Sequence, residues 1–265
     1  MKKRFFITII TIMLELCIFS SYVLAEPFIE NKIEITFFAL DDGEATLIKT
    51  NEGKTILLNT GSDSSWKKLK TSIQNKGVEK IDTLILSKQT KQTCGNISRA
   101  LKEWDIMNIN IFGSVGAQCE ELSNFEDKIQ IVNAQDLIEY APGFFIRFLP
   151  SDVGTSMNLY IVFGNTSLLY LTYNDASFEK EFIKNYPVKA EIIKIPGYGE
   201  IDIPSSDMLN FIDPHMAILY NKADRVKHDA LIEKLHELWI DLYDLEQIGD
   251  LTVELTFDDY TISGK

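Results

Sequence analysis

Three histidines, His215, His228 and His236, are the only imidazoles in the 265-residue chain, and no two stand at a spacing that brings both onto one metal. His215 follows Pro214 at a helix–strand junction and reads as structural. His236 lies on the polar face of a helix and reads as solvated. The three cysteines, Cys17, Cys94 and Cys119, form no CxxC pair. Oxygen ligands are better supplied. Asp41, Asp42 and Asp175 are carboxylates of the type that calcium or magnesium accepts. One polar stretch stands out between a buried strand and a glycine: Ser87-Lys88-Gln89-Thr90-Lys91-Gln92-Thr93-Cys94-Gly95. It holds ammoniums, hydroxyls and amides, without a base beside a nucleophile. It reads either as a connecting loop with no role or as a binding loop on a rigid scaffold.

Those residues must be positioned by strands and helices that alternate from end to end, with no repeat or low-complexity tract. Ile33–Phe38, Ala45–Lys49 and Thr55–Leu58 read as a meander, with Gly53 in its turn. Ser62–Ser65 reads as the cap of a helix that places Trp66, Leu69 and Ile73 on one face, and Gly77 ends it. A strand Ile81–Leu86, a helix Ile97–Trp104 and a strand Met107–Phe112 follow. Phe144–Leu149, Asn158–Phe163 and Ser167–Leu171 open a second meander. After them come a helix Phe178–Asn185, a strand Glu191–Ile195 and a helix Ser205–Phe211. A strand Met216–Tyr220, a helix His228–Leu238 and strands Asp241–Tyr243 and Leu251–Phe257 close the chain. Two such halves predict an α/β fold: an αββα sandwich of two mixed sheets flanked by helices.

The N-terminus carries Lys2-Lys3-Arg4, the apolar run Phe5–Leu14 and small or β-branched residues at Val23 and Ala25 before Glu26. This is the layout of a secretory signal peptide over residues 1–25, leaving residues 26–265 as one domain. An uncleaved anchor is the alternative, although the run is short of the about 20 apolar residues that a span needs. Export makes the protein extracytoplasmic (secreted, surface or periplasmic), where Cys94 and Cys119 either pair or remain as two buried thiols. Removing Lys2, Lys3, Arg4 and Glu15 takes the formal charge from −13 to −15. A field of that sign tells against nucleic-acid partners, whose phosphates need Lys and Arg. The acidity reads as a device for solubility.

Several motifs, in order, resemble the metallo-β-lactamase-like domain of ComEC-type competence proteins. Ile35 to Ile48 is similar to that family's TFLDVGQGDAILI. Lys54 to Gly61 is similar to its GKTILIDTG, with Asn59 at the aspartate. Val78 to Leu86 is similar to the strand that precedes its HxHxDH metal motif. His228 to Tyr243 is similar to its HPEVLERLKEAGIKVY, and Gly249 falls at the glycine of its last hairpin. The likeness spans about Ile33 to Phe257.

The resemblance implies two zinc ions that generate hydroxide for hydrolysis, but it also implies that their ligands are replaced here. Lys88, Thr90 and Thr93 stand at the histidines of HxHxDH and Gln92 at its aspartate. Asn174 or Asp175 stands at the bridging aspartate, and Gly197 and Tyr198 stand at the histidines of a P-H-H-G-S segment. His228 remains. On this reading no residue is catalytic and no zinc or other cofactor is expected. Lys88 is expected to neutralise an acidic group of the cavity, with Asp175 as its partner. The expected function is that of an exported, catalytically silent binding or accessory module for an unknown protein or small molecule. The alternatives are a hydrolase with an altered metal, using Asp175, His228, Asp41 and Asp42, and a competence-related DNA-processing protein.

Overall fold

Strands that are apolar on both faces need cover on both sides, and the computed structural model, which describes residues 31–264, supplies it. The expected signal peptide, residues 1–25, lies outside the described residues. The first sheet runs in the order β15-β14-β1-β2-β3-β4-β5-β6 and the second in the order β13-β12-β11-β10-β9-β8-β7. In the first sheet these are β1 (Ile33–Phe37), β2 (Thr46–Thr50), β3 (Thr55–Leu58), β4 (Thr83–Ile85), β5 (Asn108–Phe112), β6 (Ile129–Val132), β14 (Leu251–Leu255) and β15 (Tyr260–Gly264). In the second they are β7 (Leu137–Ala141), β8 (Phe144–Pro150), β9 (Met157–Phe163), β10 (Thr166–Tyr170), β11 (Ile192–Lys194), β12 (Met216–Leu219) and β13 (Asp241–Asp244). Each sheet changes from antiparallel to parallel pairing once, at β3–β4 and at β10–β11.

Burial separates into three cores, which identifies the layers. Ile35, Phe37, Ile48 and Ile56 of the first sheet meet Phe144, Ile161, Tyr170 and Ile192 of the second between the sheets. Leu47, Leu57 and Leu84 pack outward onto Leu69 and Ile73 of helix Trp66–Asn75 and onto Ile97 and Leu101 of helix Ile97–Glu103. Leu169, Ile193 and Leu219 pack outward onto Phe182, Met208, Leu231 and Leu235 of helices Ser177–Asn185, Ser206–Ile212 and Asp229–Glu237. The result is the expected sandwich, two mixed sheets with helices outside. Among the described residues no helix is long and apolar enough to cross a membrane.

The sequence reading omits β6, β7 and β15, and all three are sheet edges. An edge strand is partly solvated, so its apolar alternation is weak, as the burial of β6 and β7 shows. Ser62–Ser65 is not a side-chain cap. Asp63–Ser65 is a 3₁₀ turn leading into the helix at Trp66, and neither the Ser62 nor the Ser65 side chain caps it; Ser65 Oγ instead donates to the Asp42 carbonyl and accepts from the Asp42 amide.

Cys94 and Cys119 are joined by a disulfide, with Cα atoms 5.9 Å apart. The bridge ties the end of the Ser87–Gly95 loop to the 3₁₀ stretch Ala117–Lys128. It closes a segment with a sequence separation of 25, which restricts the unfolded chain by about 3 kcal/mol. Urea unfolding of a Cys94→Ser/Cys119→Ser variant is expected to show that loss, with no thiol titrating in denatured, unreduced protein comprising residues 26–265.

Candidate functional site

Open α/β sheets present their ligand sites at the carboxyl ends of parallel strands, and here both sheets do so toward one cavity. Asn59 leaves β3, Ser87 and Lys88 follow β4, Thr172 and Asn174 follow β10, Tyr198 follows β11, and Tyr220 and Lys222 follow β12. Glu44 reaches the same place from the turn between β1 and β2. That turn is fixed by Gly43, at φ 91°, where a Cβ would stand 2.3 Å from the Gln92 carbonyl. The neighbouring Glu44 amide donates to that same carbonyl at 3.0 Å. The polar loop and the Glu44 turn are therefore one unit.

At the floor lies a buried ion pair. Lys194 Nζ is 2.6 Å from Glu44 Oε1, and the two side chains are only 2% and 5% exposed. Lys194 also donates to the Leu171 carbonyl at 3.1 Å and lies 4.6 Å from the Tyr170 ring centroid. The Tyr170 hydroxyl donates to the other oxygen of Glu44 at 2.7 Å. Asn59 then donates to Tyr170 at 3.2 Å and to the Ser87 hydroxyl at 2.9 Å, and accepts from the Ser87 amide at 3.0 Å. Beside this chain the Tyr220 hydroxyl donates to the Ala45 carbonyl and is hydrogen-bonded to Thr46. Burial pulls the Lys194 ammonium toward proton loss, while Glu44 in contact opposes it. Burial, reinforced by the Glu44 charge, pushes the Tyr170 phenol well above its ordinary value, so it stays a donor.

The Ser87–Gly95 loop divides its side chains between anchoring and the cavity. Gln89 donates to the carbonyls of Phe112 and Ser114 and accepts from the Gly116 amide. Thr90 and Thr93 form a capping box on the short helix Lys91–Cys94, and Thr93 also donates to the Lys88 carbonyl. Lys88 donates from Nζ to the Thr172 carbonyl at 3.3 Å. Its ammonium is pulled toward proton loss by burial, with Glu44 and Asp152 pulling the other way.

The cavity holds about 450 Å³ and is lined by Lys88, Thr90, Gln92, Thr93, Asn174, Gly197 and Tyr198 among others. These are the expected site residues apart from Asp175 and His228. Asp175 is exposed, and its carboxylate accepts from the Ser177 amide at 2.8 Å, which lowers its pKa. It is not the partner of Lys88; the carboxylates acting on Lys88 are Glu44 and Asp152. His228 begins helix Asp229–Glu237, with its side chain exposed and its amide on the Gly199 carbonyl. Asp41 is on the surface, paired with Lys68 at 2.9 Å, and Asp42 accepts from the Ala223 amide. The set proposed for an altered metal is therefore not assembled. His215 and His236 are exposed; His215 contributes only backbone bonds, to Glu191 and Asp241.

Sequence reasoning missed Glu44, Lys194, Tyr170, Glu200 and Lys222. Lys194 carried a signal: a lone charge in the apolar run Ile192–Ile195 either faces solvent or is paired inside. Tyr198, which the resemblance did bring in, has a φ of 57° that places a bulky residue in the left-handed region, at roughly 1–3 kcal/mol of strain.

No family model and no curated protein matches the sequence. Solved structures match its fold. The metallo-β-lactamase fold protein YhfI from Bacillus subtilis superposes with a TM-score of 0.56 at 14% identity, over 80% of this chain and 96% of that one. CmlA, a diiron β-hydroxylase from Streptomyces venezuelae, superposes with a TM-score of 0.57 at 10% identity, over 87% of this chain and 55% of that one. This chain has the metallo-β-lactamase fold. Two zinc ions, which the resemblance implies, do not fit the residues present. Lysines and amides line the cavity, its carboxylates are already held, Glu44 by Lys194 and Tyr170 and Glu200 by Lys222, and no imidazole lines it. Among the described residues no three His, Cys, Asp or Glu side chains could hold a metal ion together.

A buried pair that loses one partner leaves the other charge uncompensated. Glu44→Gln and Lys194→Met are each expected to destabilise the protein by about 3–5 kcal/mol. The double variant should lose clearly less than the sum, in chemical denaturation with all four proteins of the cycle.

Proposed function

We propose that residues 26–265 act as an exported, catalytically silent domain that holds a ligand in this cavity, as a binding or accessory module of a ComEC-like kind. The observation that carries the reading is the Glu44–Lys194 pair, capped by Tyr170, with Lys88 beside it. A dication needs several deprotonated ligands meeting in a closed geometry. In this cavity two ammoniums would face it instead. The fold itself does not decide the chemistry, since one structural neighbour is described as a β-hydroxylase. Nucleic acid is a poor partner for a mature chain of formal charge −15. The extracytoplasmic setting is supported by the signal-like N-terminus, and the disulfide suits an oxidising compartment.

The test is elemental analysis of mature protein purified without added metal, paired with hydrolysis of bis(p-nitrophenyl) phosphate. Substoichiometric zinc and iron and no chelator-sensitive turnover are expected. Stoichiometric metal, or turnover that a chelator abolishes, would contradict the proposal. Lys88→His, Thr90→His, Gln92→Asp and Thr93→His combined should still give no turnover. Gly197 and Tyr198 supply no metal ligands on the other side, and Lys194 remains.

A further inference from the structure

Three lysines and two glutamates line the cavity, Lys88, Lys194 and Lys222 against Glu44 and Glu200. Two of the lysines are matched in place: Lys194 to Glu44 and Lys222 to Glu200, each at 2.6 Å. Lys88 makes no ion pair among the described residues. One of its N–H groups is spent on the Thr172 carbonyl, which leaves two for the cavity. The side-chain amides of Gln92 and Asn174 and the phenol of Tyr198 also line the space, and none has a hydrogen-bond partner among the described residues. Tyr198 is placed there by a left-handed backbone that only Gly, Asn or Asp visits readily. Its ring and Ile201 offer an apolar wall.

Deepening the binding role proposed above, and resting on it, we infer that this cavity binds a small organic carboxylate. The carboxylate lies against the Lys88 ammonium, and its oxygens accept from Gln92, Asn174 and Tyr198. Lys88, the lining lysine without an ion pair among the described residues, suits one negative charge. A phosphate dianion would overshoot it beside Glu44 and Glu200. A volume of about 450 Å³ accommodates a small molecule. Burial drives the Lys88 ammonium toward proton loss, Glu44 and Asp152 oppose this without forming an ion pair, and a bound carboxylate would supply a counter-charge in contact.

Titration with acetate, benzoate, benzamide and inorganic phosphate at fixed ionic strength tests this, read by amide shifts at Gln92, Asn174 and Tyr198. Both carboxylates should give saturable shifts. Benzamide, the uncharged match of benzoate, and phosphate should each bind at least about tenfold more weakly than benzoate. Lys88→Met should weaken benzoate by at least about tenfold, whereas Lys88→Arg, which keeps the charge, should stay within a few-fold. Thermal unfolding of both variants checks that they remain folded. Equal binding of benzamide, tighter binding of phosphate, an unaffected folded Lys88→Met protein, or no saturable shift with either carboxylate would overturn the inference. A metal-free protein that ignores carboxylates overturns this assignment alone, while stoichiometric zinc overturns the proposed function whatever benzoate does.

Discussion

A carboxylate and an ammonium taken together out of water are the constraint around which this domain is arranged. Each charge is costly to bury, and the pair is supported by a donor on each oxygen of Glu44 and by a second acceptor and a ring face for Lys194. Glu44 meets Lys194 and Tyr170; Lys194 meets the Leu171 carbonyl; Tyr170 meets Asn59, and Asn59 meets Ser87. The chain of contacts starts at Glu44 beside the first sheet, crosses to Lys194 and Tyr170 in the second and returns to Asn59 and Ser87 in the first, so it also joins the two halves of the sandwich at the end where both sheets open. Its polar atoms sit beside the apolar interlayer core, and that low-dielectric setting makes the pair's satisfaction matter.

The loop above the pair follows from the same constraint. Gln89, Thr90 and Thr93 spend their polar groups on holding the loop, and the disulfide fixes its far end. Lys88 and Gln92 are left facing the cavity. The loop presents a small number of donors on a rigid base, which suits the proposed binding role.

The fold was largely legible because its signals are strong where burial is complete. The apolar runs of β4, β11 and β12 and the helical spacing of Leu69 and Ile73 or Leu231 and Leu235 reflect positions covered on both sides or along one face. The edges β6, β7 and β15 were lost because solvent on one side blurs the pattern. The site was legible by position rather than by chemistry. The motif likeness brought Lys88, Gln92, Asn174 and Tyr198 to the cavity, yet it credited Asp175 and His228, whose neighbours in sequence are near the site while their own side chains are exposed. Glu44 and Lys194 escaped because a pair formed between residues 150 positions apart leaves no spacing to read. Only the oddity of a charge inside a buried strand hinted at Lys194.

If the ion pair takes the place of metal in this cavity, the folded state gains nothing from zinc. Thermal unfolding of the mature domain, with a chelator and then with excess zinc, measures this directly. A ligand at a hundred times its dissociation constant stabilises by about 2.7 kcal/mol, which for a domain of this size is on the order of 5–10 °C in the midpoint. The account predicts coincident midpoints in the two conditions. A rise of that size with zinc, lost again on chelation, would contradict it.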